Sequence, residues 1–255
     1  MSPPSSILIT GASSGIGEAL AFHYAESGVS LFLSGRNRDR LTGVAKVCEL
    51  KGAKVDVSTV DVTDRDLMFR WIAEVDRKAA LDLVVANAGI SGGTAGGIES
   101  ATQTRSIFAV NVDGVLNTVL PALEVMAARS GGQIAIVSSL AGFLPMSGAP
   151  AYSASKAAIR HFGEALRPSA ARRGVRVTVI CPGFVHSRIT AENPFRMPFI
   201  MPADRAAKII ARALTRNRAR VAFPWIMYAV VCTLGQLVPP PLLRILLSRL
   251  PEKPS

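Results

Sequence analysis

The sequence predicts a doubly wound α/β fold: a mostly parallel sheet with helices on both faces, in a single domain with an apolar C-terminal helical extension. Three observations carry this. Short apolar runs of strand length alternate with longer segments of helical pattern along residues 7–180. The strand runs are apolar at consecutive positions, as needed where helices cover both faces of a parallel sheet. The polar and glycine-bearing signals at Gly11, Asn87, Ser138 and Pro182 each fall just past such a run. That is where an open α/β sheet places its ligand crevice.

Residues 7–10 read as the first strand, followed by the glycine-rich turn 11–17 and a helix over 18–26 that closes near Gly28. Residues 29–33 and 55–60 are the second and third strands, with helices over 39–51 and 64–78. The fourth strand, 83–86, runs into Asn87-Ala88-Gly89, and the glycine-rich stretch 91–97 is a loop. Residues 101–129 carry mostly helical pattern. Residues 133–137 and 175–180 are the fifth and sixth strands, separated by a polar loop and a helix over 152–172. A basic amphipathic helix covers 202–216, and 221–224 fits a seventh strand.

The chain has 255 residues, which suits one α/β domain with a substantial core. At 49% hydrophobic and 18% charged it does not read as disordered. We divide it into a cofactor-binding and catalytic domain over 1–220, including a lid over 184–202, and a last strand with an apolar, basic extension over 221–255. The formal charge is +11, and nine Lys/Arg against two Asp/Glu lie from Met201 onward. Such a surface attracts nucleic acid, an anionic membrane or an acidic cofactor. No zinc-finger spacing or aromatic-interleaved basic strand pair is present, so nucleic acid is not expected as a partner.

Cys48, Cys181 and Cys232 form no metal or redox motif and fit a reducing, cytoplasmic setting. The start, MSPPSSILIT, reads as a short polar lead-in rather than a signal peptide. His23, His161 and His186 are widely separated, so no metal site is expected.

The turn Gly11-Ala12-Ser13-Ser14-Gly15-Ile16-Gly17 follows a strand and opens a helix. Its glycines permit a tight turn and a close backbone approach to a pyrophosphate, and the helix N-terminus supplies amide donors. After the second strand stand Arg36 and Arg38, where an NAD-selective site tends to place an acid. A guanidinium suits a 2′-phosphate, to which Ser13 can also donate, so NADP(H) is expected in preference to NAD(H).

Tyr152 and Lys156 are four apart in a helical segment and share one face. A nearby ammonium favours tyrosinate and is expected to lower the phenol pKa. Alone, that spacing is common on surface helices. Ser139, thirteen residues before Tyr152, can hold a substrate oxygen, and the Asn111 amide can fix a water leading to Lys156. Ser138 reads as structural.

The glycine spacing G-x-x-x-G-x-G, the Asn87-Ala88-Gly89 motif, and Asn111, Ser139, Tyr152 and Lys156 in that order resemble the short-chain dehydrogenase/reductase family over residues 6–187. The resemblance implies a Rossmann-type fold and NAD(P)-linked hydride transfer at a carbonyl or alcohol. It makes Tyr152 the acid/base, Ser139 the substrate anchor, Lys156 the ribose ligand and Asn111 part of a proton relay. It also implies adenine contacts at Asp61 and Val62, a place for Asn87-Ala88-Gly89 near the cofactor ribose, and nicotinamide contacts from Pro182, Gly183, Val185 and Ser187. Ser187 stands where the family commonly has threonine.

The resemblance implies that residues 184–202 form a lid, which Phe195, Met197, Phe199 and Ile200 would line. Beyond it, residues 221–243 carry no charge, with Arg216, Arg218 and Arg220 on one side and Arg244 and Arg249 on the other. The helical piece 225–238 is about 21 Å long, short of a membrane crossing, and prolines 239–241 interrupt the apolar stretch at its end. Three readings stay open for it: peripheral membrane-surface contact, a subunit interface or apolar substrate wall, and an ordinary core helix. The tail departs from the usual pattern, so a homo-oligomer is expected without a choice between dimer and tetramer. An apolar lid and tail favour a lipophilic ketone, aldehyde or alcohol. The same site would serve alcohol oxidation, and a nucleotide-binding scaffold or redox sensor without catalysis is the alternative of another class.

Overall fold

The computed structural model describes residues 3–95, 97–191, 193, 195–239 and 241–243. Its strands are β1 (Ser6–Ile9), β2 (Ser30–Ser34), β3 (Lys54–Ser58), β4 (Leu83–Ala86), β5 (Gln133–Val137), β6 (Arg176–Pro182) and β7 (Arg220–Phe223). The helices are α1 (Gly15–Tyr24), α2 (Arg38–Leu50), α3 (Arg65–Lys78), α4 (Ala101–Phe108), α5 (Gly114–Ala128), α6 (Pro150–Ala171), α7 (Arg188–Ala191), α8 (Ala203–Thr215) and α9 (Trp225–Leu237).

The strands form one seven-stranded parallel sheet in the order β3-β2-β1-β4-β5-β6-β7. Strands β1, β4 and β5 are buried at every position. The two-residue alternation sends Ile7 and Ile9 into a core with Leu20 and Ile210, and Leu8 into the opposite core with Met68, Ile72 and Val119. Each fully buried Leu or Ile contributes about 1.5–3 kcal/mol, so these central strands anchor the sheet. The order of strands reverses between β1 and β4, which opens a crevice past their carboxyl ends.

Three departures from the sequence expectations matter for the site. The long helix over 101–129 is interrupted by a π-helical turn, Ala109–Asp113, whose sequence AVNVD is apolar enough to look continuous. By length and apolarity residues 101–128 match a membrane-crossing helix, yet Val115, Val119, Ala122 and Met126 are buried in the second core, as in a core helix. Strand β6 continues through Cys181 and Pro182, which pair with Ala222 and Phe223 of β7. Residues 184–202 are not all loop: α7 lies inside, and a bridge between Val185 and Met201 ties the base.

At the C-terminal end, one face of α9 packs on the 3-10 turn Leu140–Phe143, directly after Ser139. Gly235 permits this, because a Cβ there would run into the Phe143 carbonyl oxygen. The expected flank of Arg244 and Arg249, and Pro240, lie outside the described residues.

Candidate active site

A cleft of about 580 Å3 lies across the carboxyl ends of β1, β2, β4, β5 and β6. At one end is the turn after β1. Gly11 and Gly15 have φ of 66° and 62°, the left-handed region that other residues avoid. The turn is also packed too closely for side chains: a Cβ on Gly17 would lie 2.5 Å from the Gly11 carbonyl oxygen and 2.6 Å from Asn87 Nδ2. The N-cap of α1, Ser14, makes no side-chain hydrogen bond to the helix, so its side chain leaves the first amides uncapped. Ser13, Ser14, Gly15 and Ile16 line the cleft, whereas Gly17 supports it from behind.

Asn87 ties β4 to this turn. Its Nδ2 donates to the Thr10 and Gly11 carbonyl oxygens at 2.9 and 3.1 Å. Thr10 Oγ1 accepts from the amides of Asn87 and Ala88 at 3.1 Å each. Sequence reasoning missed Thr10; a hydroxyl at the end of a buried strand is the signal. Arg36 lines the cleft beside Ser13 and Gly35. Arg38 does not: it opens α2, and Arg40 takes a lining place instead. The Asn37 carboxamide oxygen accepts from the Arg40 amide at 2.9 Å, which fixes where that helix begins. Asp61 and Val62 also line the cleft, with Asp61 Oδ1 engaged by the Thr63 amide and hydroxyl at 2.9 and 2.8 Å.

At the other end Ser139, Tyr152 and Lys156 converge with Pro182, Gly183, Val185 and Ser187. Lys156 is buried, and its Nζ donates to the Val137 carbonyl oxygen at 3.0 Å and stands 5.9 Å from the Tyr152 ring centroid. Burial pulls its ammonium down to about 8. Burial also pushes the Tyr152 phenol up, against a hydrogen bond with Ser139 that favours the tyrosinate. This corrects the expectation of a lowered phenol pKa: in the protein alone desolvation outweighs the Ser139 hydrogen bond. Ser138 Oγ donates to the Lys156 carbonyl oxygen at 2.7 Å, a structural bond.

Asn111 sits in the π turn and does not line the cleft. Its Nδ2 donates to the Ile90 carbonyl oxygen at 2.9 Å and to Ser155 Oγ at 3.0 Å, while its Oδ1 accepts from the Ile90 amide at 2.8 Å. Both N–H groups of the side-chain amide are therefore committed to protein partners. Gly89 lies between these groups: a Cβ there would stand 3.2 Å from Asn111 Oδ1 and 3.3 Å from Lys156 Nζ.

The Ser187 hydroxyl lies 3.3 Å from Thr190 Oγ1. Arg188, Ile189 and Thr190 join the lining, and none was singled out in the sequence. The expected apolar lining of Phe195, Met197, Phe199 and Ile200 is not part of this cleft. Phe195 stacks edge-on against Phe184, and Phe199 is 55% exposed.

A family model described as short chain dehydrogenase matches residues 5–196. A protein of Myxococcus xanthus strain DK1622, named an uncharacterized oxidoreductase, is 41% identical over 236 residues, covering 92% of this chain and 93% of that one. A short-chain dehydrogenase from Sphingobium yanoikuyae, solved in complex with NADPH, superposes with a TM-score of 0.80 at 22% identity and covers 98% of both chains. The bulky-bulky ketone specific alcohol dehydrogenase of Comamonas testosteroni gives 0.77 at 22% identity, covering 86% of each chain.

Proposed function

The chain belongs to the short-chain dehydrogenase/reductase family, and from that premise we propose that it reduces the carbonyl of a lipophilic ketone or aldehyde with NADPH, or oxidises the corresponding alcohol. The observation that carries the reading is the convergence of Ser139, Tyr152 and Lys156 at one end of a cleft whose other end reaches Arg36.

The residues present fit such a cofactor. The cleft volume lies in the range of small-molecule sites. The glycine turn has no room for side chains, and the α1 N-terminus offers amides to an anion. Ser13, Ser14, Gly15 and Ile16 would hold the pyrophosphate, Arg36 and Arg40 the 2′-phosphate, and Asp61 and Val62 the adenine end. Lys156 would hold the nicotinamide ribose, with Pro182, Gly183, Val185 and Ser187 around the ring. When bound, NADPH supplies the hydride. The Tyr152 hydroxyl donates its proton to the substrate oxygen, and Ser139 holds that oxygen in place. The Lys156 ammonium stabilises the tyrosinate left behind.

The lipophilic substrate is supported by Ile90, Val110 and Ile189 in the cleft and by the apolar inner face of α9 behind Leu140 and Phe143. The presence of Asn111, Ser139, Tyr152 and Lys156 together argues against a nucleotide-binding scaffold or redox sensor without catalysis, and burial pushes the Cys48 and Cys181 thiols up to about 11 and about 12, so these two stay protonated. We place the enzyme in the cytoplasm as a homo-oligomer, with Phe108 and Leu120 exposed along the helices around Asn111. The test is a spectrophotometric screen of NADPH and NADH consumption against apolar ketones and aldehydes. Turnover with NADPH on at least one of them is the expected result, and turnover with NADH alone would reject the cofactor assignment.

A further inference from the structure

Away from the cleft, an open pocket of about 540 Å3 lies between α8, β7 and α9. Its floor is apolar, from Ile209, Ala213, Val221 and Ala222, and its rim carries Arg212, Arg216, Arg218 and Arg220 with Tyr228. Arg220 is neutralised by Glu164, Nε to Oε1 at 2.6 Å, and its Nη1 donates to the Tyr228 hydroxyl at 3.0 Å. Among the described residues, the side chains of Arg212, Arg216 and Arg218 make no hydrogen bond or ion pair. Lys208 is paired with Asp204 at 3.6 Å, while Arg212, in the last turn of α8, and Arg216, four residues on at its C-cap, stand as neighbouring like charges that repel. An anion brought to this face would relieve that repulsion.

The pocket borders the outer face of α9. Helical geometry puts Trp225 about 60° around the axis from Tyr228, next to Ala229 and on the same side as Ile226, Val230 and Leu237. Trp225 is 73% exposed and Leu237 75%, and Ile226 and Val230 are exposed too. The opposite face, with Met227, Val231 and Leu234, is packed on Leu140, Phe143 and Leu144. The outer face carries no charge at all.

We infer that this is a contact site for an anionic lipid bilayer: the arginine-rimmed pocket takes the phosphate headgroup, and the outer face of α9 enters the headgroup region. Guanidinium forks match phosphate oxygens, and a tryptophan-bearing apolar helix beside basic residues suits a membrane interface. A second copy of the chain fits less well. A two-fold contact sets a patch against itself, which here brings arginines together without an acid to meet them. Membrane contact at this face is independent of hydride transfer, since its readout is binding.

The test uses the full chain with vesicles of phosphatidylcholine alone and of phosphatidylcholine with phosphatidylglycerol. Co-sedimentation and a blue shift of emission that Trp225→Phe abolishes are expected with the anionic vesicles, weakening with salt. The triple variant Arg212→Gln, Arg216→Gln, Arg218→Gln is expected to lose about a hundred-fold in partitioning, as three surface charges removed. Ile226→Ser with Val230→Ser tests the apolar half and is expected to abolish the blue shift. Equal binding to both vesicle types, or an unaffected arginine variant, would overturn the inference. So would tighter binding to a DNA duplex, or a dimer that the Ile226→Ser, Val230→Ser variant dissociates with no vesicle binding in the parent.

Discussion

Asn111 and Ser155 are joined side chain to side chain at 3.0 Å, and Ser155 Oγ donates in turn to the Tyr152 carbonyl oxygen at 2.8 Å. The π turn is thereby linked to the helix that carries Tyr152 and Lys156. Asn111 also satisfies both backbone groups of Ile90. Replacing it with alanine leaves the two partly buried backbone groups of Ile90 without that partner and removes one of the two hydrogen bonds of Ser155. Asn111→Ala is expected to lose about 2–4 kcal/mol. Ser155→Ala, which removes one partner, is expected to lose about 1 kcal/mol. Urea unfolding curves check the order.

Arg36 lines the cleft and Arg38 does not. Arg36→Asp is expected to raise KM for NADPH by about 10–100-fold, the value of one or two charge-assisted hydrogen bonds, and to shift preference towards NADH. Arg38→Ala is expected to leave both constants within about two-fold. Steady-state kinetics with both cofactors checks the contrast.

Lys156 supplies a pH-dependent prediction. Its ammonium titrates at about 8 in the fold against 10.5 in water, a gap worth roughly 3 kcal/mol. Below about pH 8 the folded chain keeps a buried charge that the unfolded chain solvates freely. Between pH 8 and 10.5 the unfolded chain binds more protons, so this group's cost fades as pH rises. Lys156→Met is expected to be inactive yet more stable than the parent at pH 7, by up to about 3 kcal/mol less the lost bond to Val137. That gain is expected to vanish by about pH 10.5. Unfolding midpoints at pH 7 and 10 check the sign.

Gly235 lets α9 approach the Phe143 carbonyl. Gly235→Val is expected to push the helix away at a cost of about 1–3 kcal/mol, the usual penalty of overpacking. The turn Leu140–Phe143 follows Ser139 directly, so kcat is expected to fall while NADPH affinity holds. Cofactor titration beside turnover separates the two.

The sheet was legible because the central strands, apart from Ser6 and Gln133 at their starts, are apolar throughout and run into glycine or polar residues. The cleft ends were legible for the same reason: Asn87 follows its strand directly, Gly11 and Ser139 come one residue after theirs, and Pro182 closes β6. The π turn was hidden, since AVNVD keeps a helical pattern on either side of Asn111. Strand β6 read as ending at Ile180 because proline usually stops a strand, yet Pro182 is its last paired residue. Choosing Arg40 over Arg38 depends on where α2 begins, which a cap bond from Asn37 decides. The direction of the Tyr152 pKa depends on burial, which spacing along the chain does not reveal.

Tyr152→Phe tests the central claim most directly, because it keeps the ring and removes the proton. On a substrate that the parent reduces, kcat/KM is expected to fall by about 10²–10⁴-fold, the usual contribution of a positioned acid. NADPH affinity, measured by fluorescence titration, is expected to stay within about two-fold. Undiminished turnover by Tyr152→Phe would contradict the account.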